Sequence, residues 1–230
     1  MLIGFSTKCL KNCNRFAPET FDVFRKIGCN AIKIAWRHNL DEFEKISMIK
    51  PYDLKGFKYI SIHTPSFYRF NETEIVDILQ KISEVHKKLK FNAVIIHPYE
   101  TMNFDIFRQF DLPFKVENMD WKQDFGKYTD SLEDIFSKFD VPMVLDLNHC
   151  YTNDPSMLLA RDFAENFGGR IEEIHVSGFE KLHEPLFKTK QTEILQAIPD
   201  KRLPIIIESG CENIEEAKKE FEYVKNFLMN

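Results

Sequence analysis

The chain has 230 residues, 43% hydrophobic, 29% charged and 13% aromatic, which supplies one sizeable core and excludes disordered, collagenous and fibrous classes. Its net charge of −5 gives no overall positive field for a phosphate backbone, so a general nucleic-acid binder is not expected. The opening apolar run, Leu2 to Phe5, is too short for a signal-peptide core, and no stretch approaches the ~18 apolar residues of a membrane span.

Short β-branched and apolar runs alternate with longer amphipathic stretches along the whole chain. The predicted strands are Leu2 to Ser6, Ala31 to Ala35, Tyr59 to His63, Ala93 to His97, Phe114 to Glu117, Met143 to Leu147, Glu173 to Val176 and Pro204 to Glu208. Several lack period-two alternation, as expected of parallel strands covered on both faces. Helical patterns follow them in turn: Pro18 to Ile27, Leu40 to Met48, Glu72 to Leu89, Asn103 to Gln109, Ser131 to Phe139, Pro155 to Phe167, Gln191 to Ala197 and Ile214 to Leu228. Asn71, Asp130 and Asp154 stand at expected N-caps, Pro155 at a first turn, and Gly28, Gly168 and Gly169 at helix ends.

Eight strands, each followed by a helix, predict an α/β fold of the (β/α)₈ TIM-barrel type over residues 1–230, a single domain without linker or low-complexity segment. Dividing 230 residues among eight units leaves about 29 per unit, a nearly minimal barrel. The five cysteines, Cys9, Cys13, Cys29, Cys150 and Cys211, are odd in number and scattered, which fits a reducing cytoplasm better than a disulfide framework.

Chemistry-bearing residues concentrate at predicted strand ends. His63, His97 and His175 end strands or stand at their last positions, as do Glu117, Asp146 and Glu208, and His149 lies just beyond Asp146. In a barrel, the C-terminal strand ends converge on one mouth. From His63 to Glu208 is 145 residues over five repeat steps, a mean of 29, so the ligand candidates keep the register of the barrel. Imidazoles mixed with carboxylates suit Zn²⁺, Mn²⁺, Fe²⁺ or Co²⁺, and donors from six strands exceed what one ion needs.

The ordered set Ser61-Ile-His63-Thr-Pro65, Ile96-His97-Pro98, Val116-Glu117-Asn118, Leu145-Asp146-Leu-Asn-His149, Ile174-His175-Val-Ser-Gly178, Leu182-His183-Glu184 and Ile207-Glu208-Ser209 resembles the xylose-isomerase-like barrels, which include endonuclease IV (AP endonuclease family 2) and many sugar isomerases and epimerases. The resemblance implies that Glu117, Asp146, His175 and Glu208 are the ligands shared by both branches. It implies that His63 and His97, with Glu117 bridging, hold a second ion, and that His149 and His183 belong to a third. Lys181 stands where the endonuclease pattern has an aspartate, which argues against an intact third site and for an ammonium near a substrate phosphate or carboxylate. The implied cofactor is Zn²⁺ or Mn²⁺, one or two ions with a third left open.

Other residues are candidates for substrate contact. Trp36, Arg37 and His38 follow the second strand, Tyr99 and Glu100 the fourth, and Phe67, Tyr68 and Phe70 follow His63. Lys115 is expected at the surface of a strand entrance, the barrel interior being its alternative face. Three functions stay open. One is metal-dependent proton transfer beside a carbonyl of a sugar or sugar phosphate, with Glu117 and Glu208 as base and acid. Another is endonuclease IV-like hydrolysis of abasic DNA, which His63, His97, His149 and His183 favour. The last is a non-catalytic metal- or ligand-binding barrel. The acidic balance leans toward the small sugar substrate, with no membrane partner.

Overall fold

A computed structural model describes residues 1–36 and 42–229. Arg37 and His38 lie outside the described residues. The chain folds into eight parallel strands, β1 (Ile3–Ser6), β2 (Ala31–Ala35), β3 (Tyr59–His63), β4 (Ala93–Ile96), β5 (Phe114–Glu117), β6 (Met143–Asp146), β7 (Ile171–Val176) and β8 (Ile205–Ile207). They pair in sequence order, and β8 returns to β1 through Ile3 opposite Ile205 and Phe5 opposite Ile207, closing the barrel. The predicted TIM barrel is therefore the fold.

The helices are α1 (Pro18–Ile27), α2 (Glu42–Ser47), α3 (Glu72–Leu89), α4 (Phe104–Arg108), α5 (Thr129–Lys138), α6 (Leu147–Asn153), α7 (Leu158–Phe167), α8 (Leu186–Thr189), α9 (Thr192–Gln196) and α10 (Ile214–Met229). Their apolar faces bury against the outer faces of the strands. In α3, Ile75, Ile78, Leu79, Ile82, Val85 and Leu89 are buried at three- and four-residue spacing. A capping box between Asn71 and Glu74 starts this helix, and Gly28, with φ 109°, ends α1 in the left-handed region that glycine tolerates.

Two expected caps fall elsewhere. Asp130 lies in the first turn of α5, whose N-cap is Tyr128. Asp154 closes α6 and accepts from the Leu159 amide at 2.9 Å, while Met157 is the residue that precedes α7. The later start of α7 has one cause: Leu147 to Asn153 form a separate helix that Asp146 itself caps, so the next helix starts later than Pro155.

Inside the barrel, inward side chains recur at every second residue. Ala31, Tyr59, Ala93, Ile95, Val144 and Ile206 form an apolar plug distinct from the core between strands and helices. Two residues further along their strands stand Lys33, Ser61, Asp146 and Glu208. Gly4 sits where β1 approaches β2 so closely that a Cβ would overlap the Ala31 carbonyl.

Candidate metal centre

Because every strand runs the same way, the ends of β3 to β8 deliver their polar side chains to one mouth, above a cavity of about 560 Å³ whose walls include Lys33, Trp36, His63, His97, His149 and Glu208. Two groups of three donors, each with ligand atoms within 4.8 Å of one another, lie there among the described residues: His63, His97 and Glu117, and Glu117, Asp146 and His175. Glu117 belongs to both.

In the first group, His63 Nε2 is 2.9 Å from His97 Nε2, and both lie 3.0 Å from Glu117 Oε2. His63 Nδ1 donates to the Thr64 carbonyl at 2.7 Å, which assigns its proton to that nitrogen and aims the Nε2 lone pair at the group. Burial and the neighbouring His97 push the His63 imidazole down to about 3, so it is neutral. Ser66 Oγ stands 3.2 Å from His97 Nδ1 and orients that ring.

The second group is deeper. Glu117 Oε1 is 2.5 Å from His175 Nδ1, and Asp146 Oδ2 is 3.8 Å from the same nitrogen. The other side of the ring, Nε2, lies 3.1 Å from Glu173 Oε1. Glu173 is wholly buried and also accepts from Tyr59 Oη at 2.7 Å and Ser61 Oγ at 3.0 Å. This carboxylate fixes which face of His175 meets the centre, an outer-shell arrangement that metal-ligating histidines commonly show. Burial and Lys33 oppose a charge on His175, but Glu117 and Asp146 outweigh them and raise it to about 9. Burial would raise Glu117 in turn, and the charge and hydrogen bonds of His175, with those of His63 and His97, hold it well below the carboxylate range.

Asp146 is fixed from its backbone. Its amide donates to Asn118 Oδ1 at 2.7 Å, its carbonyl accepts from Asn118 Nδ2 at 3.0 Å, and Oδ1 accepts the His149 amide at 2.9 Å at the start of α6. That leaves Oδ2 for the centre. His149 donates from Nδ1 to the Asn118 carbonyl at 2.8 Å, and its Nε2 lies 3.6 Å from Asp146 Oδ2. His183, whose Nδ1 is 2.9 Å from Ser177 Oγ, stands 6.2 Å from His149 between ring centres. These two histidines line the mouth without joining either group of three.

Glu208 is engaged differently. Its two oxygens form ion pairs, Oε1 with the buried Lys33 and Oε2 with the partly exposed Lys8, and Oε1 lies 3.6 Å from His175 Nδ1. Lys33 is 1% exposed in a strand otherwise made of Ala and Ile.

The remaining candidates separate. Trp36 lines the cavity, packed 5.3 Å from the Phe43 ring. Tyr99 is half-buried and Lys181 exposed, and neither lines the cavity. Phe67 is core, against Phe107, while Tyr68 is exposed. Lys115, expected at the surface, is buried in the barrel, 3.1 Å from Tyr59 Oη, and reaches Glu172 at 3.0 Å; the salt bridge and hydrogen bond satisfy a charge that burial would otherwise leave unpaired.

Lys33, Lys8 and Glu173 are site residues that sequence reasoning does not single out. A signal for Glu173 is present: it stands two residues before His175 and therefore on the same strand face. Lys33 offers the same kind of signal, as the one polar residue inside an apolar strand.

The donors fit a divalent transition ion. Two imidazole nitrogens and a carboxylate oxygen converge with a lone pair directed inward, and shared Glu117 could bridge two ions, which suits the nitrogen and oxygen preferences of Zn²⁺ or Mn²⁺.

No protein-family model and no curated protein sequence matches the chain. Solved structures do. A D-tagatose 3-epimerase-like protein is similar over 100% of this chain and 97% of its own, with 17% identity and a TM-score of 0.71. Endonuclease IV from Thermus thermophilus is similar over 100% and 99%, with 16% identity and a TM-score of 0.71. An L-ribulose 3-epimerase is similar over 99% and 95%, with 12% identity and a TM-score of 0.65. The chain thus shares the TIM-barrel fold of these proteins.

Proposed function

We propose that this chain is a divalent-metal-dependent isomerase or epimerase of a small sugar or sugar phosphate. The observation that carries the reading is the cavity of about 560 Å³ lined by the His63, His97 and Glu117 group and by lysines, with Glu117 shared with a second, buried group of donors. That volume is in the range of small-molecule sites, roughly 300 to 1,000 Å³.

His63, His97, Glu117, Asp146 and His175 would hold the metal, Zn²⁺ or Mn²⁺. A bound ion supplies Lewis-acid polarisation of substrate oxygens. Glu208 is the candidate base: its carboxylate lines the cavity and takes the proton from the carbon beside the carbonyl, breaking C–H and forming O–H on Oε1 or Oε2. Returning that proton to the neighbouring carbon completes isomerisation, and delivery of a proton to the opposite face by a second acid, the part Glu117 would take, completes epimerisation, neither needing an external oxidant. Lys33 and Lys8, paired to Glu208, offset the negative charge that develops on the substrate. Trp36 closes one wall against water.

A second reading, metal-dependent phosphodiester hydrolysis at abasic DNA, is favoured by one observation, that Glu117 is shared between a two-histidine group and a second group, as a bridging ligand of a two-ion hydrolase would be. A screen of ketoses, aldoses and their phosphates beside an abasic-site oligonucleotide, with Zn²⁺ or Mn²⁺ supplied, decides between them. Interconversion of a sugar pair that is lost in Glu208→Gln supports the isomerase reading. Cleavage of the oligonucleotide without sugar turnover replaces it with the hydrolase.

A further inference from the structure

Glu208 stands at the edge of the Glu117, Asp146 and His175 group, with Oε1 3.6 Å from His175 Nδ1, yet it is not among the donors that converge. Both of its oxygens are taken by ammonium groups, Lys33 on Oε1 and Lys8 on Oε2. Lys33 Nζ is itself 3.4 Å from His175 Nδ1. A positive charge is thereby built into the barrel where a fourth ligand would meet its ion.

We propose that the Lys33 ammonium is a resident cation of the centre, which holds Glu208 out of the metal ligand set and reserves it for chemistry with the substrate. The proposal rests on the metal-dependent reading above. Three physical arguments support it. Lys33 arises from β2, between Ile32 and Ile34, and is 1% exposed. A buried ammonium without a carboxylate partner is strongly disfavoured, so Lys33 and Glu208 hold each other. An ammonium and a divalent ion on one carboxylate repel across a medium of low dielectric, so the Lys33 pair disfavours a metal on Glu208. Finally, Glu117, Asp146, Glu173 and Glu208 are all buried around this point, and Lys33 supplies from the chain a positive charge that a further ion would otherwise provide.

The test uses the full chain stripped with chelator, then dialysed against buffered free Zn²⁺, with bound metal counted by mass spectrometry. Lys33→Met frees Glu208 to ligate, so half-saturation of the weaker-binding ion moves to a free Zn²⁺ concentration lower by roughly tenfold or more, the scale on which ligand-shell changes act. The double variant Lys33→Met with Glu208→Gln loses that gain. Unchanged or weaker binding by folded Lys33→Met, or a gain that persists in the double variant, overturns the proposal. Should Lys33→Met fail to fold, the Co²⁺ measurement below, which leaves Lys33 in place, decides the proposal alone. A further measurement needs no change at Lys33: the visible spectrum of the Co²⁺-loaded chain keeps its shape in Glu208→Gln if Glu208 is not a ligand, and a changed shape overturns the proposal. Absence of bound metal in every form refutes the metal-dependent reading itself, whereas bound metal that is indifferent to Lys33 refutes this inference alone.

Discussion

Glu117 Oε1 lies 2.5 Å from His175 Nδ1, so the carboxylate shared by both donor groups is hydrogen-bonded to the imidazole that one of them must recruit. In the metal-free protein His175 is raised to about 9, and its proton stands where an ion would coordinate. Sequence spacing assigns these residues to separate repeats; the barrel brings them into contact.

Metal binding should therefore depend on pH. His63, held near 3, offers a free nitrogen at any ordinary pH, whereas His175 must first release its proton. Affinity for Zn²⁺ at the deeper group is expected to rise by about tenfold per pH unit up to about 9 and then level, with about one proton released per ion bound. Stability of the metal-free chain moves the opposite way: the folded-state value lies above the unfolded 6.5, so the His175 contribution is complete below about 6.5 and is lost as pH rises through about 9. Calorimetry in buffers of different ionisation heat measures the proton release; an affinity flat from pH 7 to 9 would refute the assignment.

Removing His97 should separate metal binding from folding. The ring is 18% exposed and its partners are His63, Glu117 and Ser66, so His97→Ala is expected to change metal-free stability by under about 1 kcal/mol. The wild-type chain gains about 2.7 kcal/mol in Zn²⁺ at a hundredfold excess over its dissociation constant, and the variant loses most of that gain. Denaturant unfolding with and without Zn²⁺ reads both quantities, and equal metal stabilisation in the two proteins would exclude His97 from the ligand set.

Much of this site is legible without the fold, because parallel strands put ligands at strand ends and the repeat length of about 29 residues returns each end to the same mouth. His63, Glu117 and Asp146 do end their strands, and His175 comes one residue before the end of β7. What stays hidden are interactions between residues far apart in sequence. That Lys33 turns inward, or that Lys115 is buried rather than exposed, depends on which strand face looks into the barrel, and a strand covered on both sides carries no alternation to report it. The short helices α6 and α8 escape sequence reasoning because a few residues give no helical period, and α6 depends on the Asp146 side chain for its cap. Lys181, selected from its place in a motif, lies on an exposed turn that Glu184 closes by accepting the Glu180 amide at 2.8 Å.

Glu173 should act through His175. Its carboxylate is buried with donors from Tyr59, Ser61 and His175; burial would raise its pKa, but His175 holds it below the usual range. Glu173→Ala leaves those donors unpaired and is expected to cost about 3 kcal/mol or more. Glu173→Gln keeps the shape, costs less, and weakens Zn²⁺ binding by roughly tenfold to a hundredfold because the ring is no longer held by a charged partner. Nitrogen chemical shifts of His175 report the change in the protonation of Nδ1 and Nε2 directly. Wild-type metal affinity and unaltered shifts in Glu173→Gln would remove the positioning role.

Glu220 of α10 ties the far side of the mouth together. Its buried carboxylate accepts the Leu186 and Phe187 amides at 2.8 and 2.9 Å and the Ser209 hydroxyl at 2.5 Å, linking the end of the loop that carries His183 to the residue after Glu208. Burial raises this carboxyl, although the three donors pull it back. Glu220→Ala orphans two backbone amides and a hydroxyl, each worth about 1 to 3 kcal/mol when left buried and unpaired, so a loss of roughly 3 kcal/mol is expected after partial relaxation. The loss is local in its first effect: amide exchange over residues 178–187 should accelerate well before that of α3, whose capping box and buried stripe are untouched. Hydrogen-exchange mass spectrometry resolves the two segments, and protection at 178–187 equal to that of the wild type would show that the loop is held by its own turn alone.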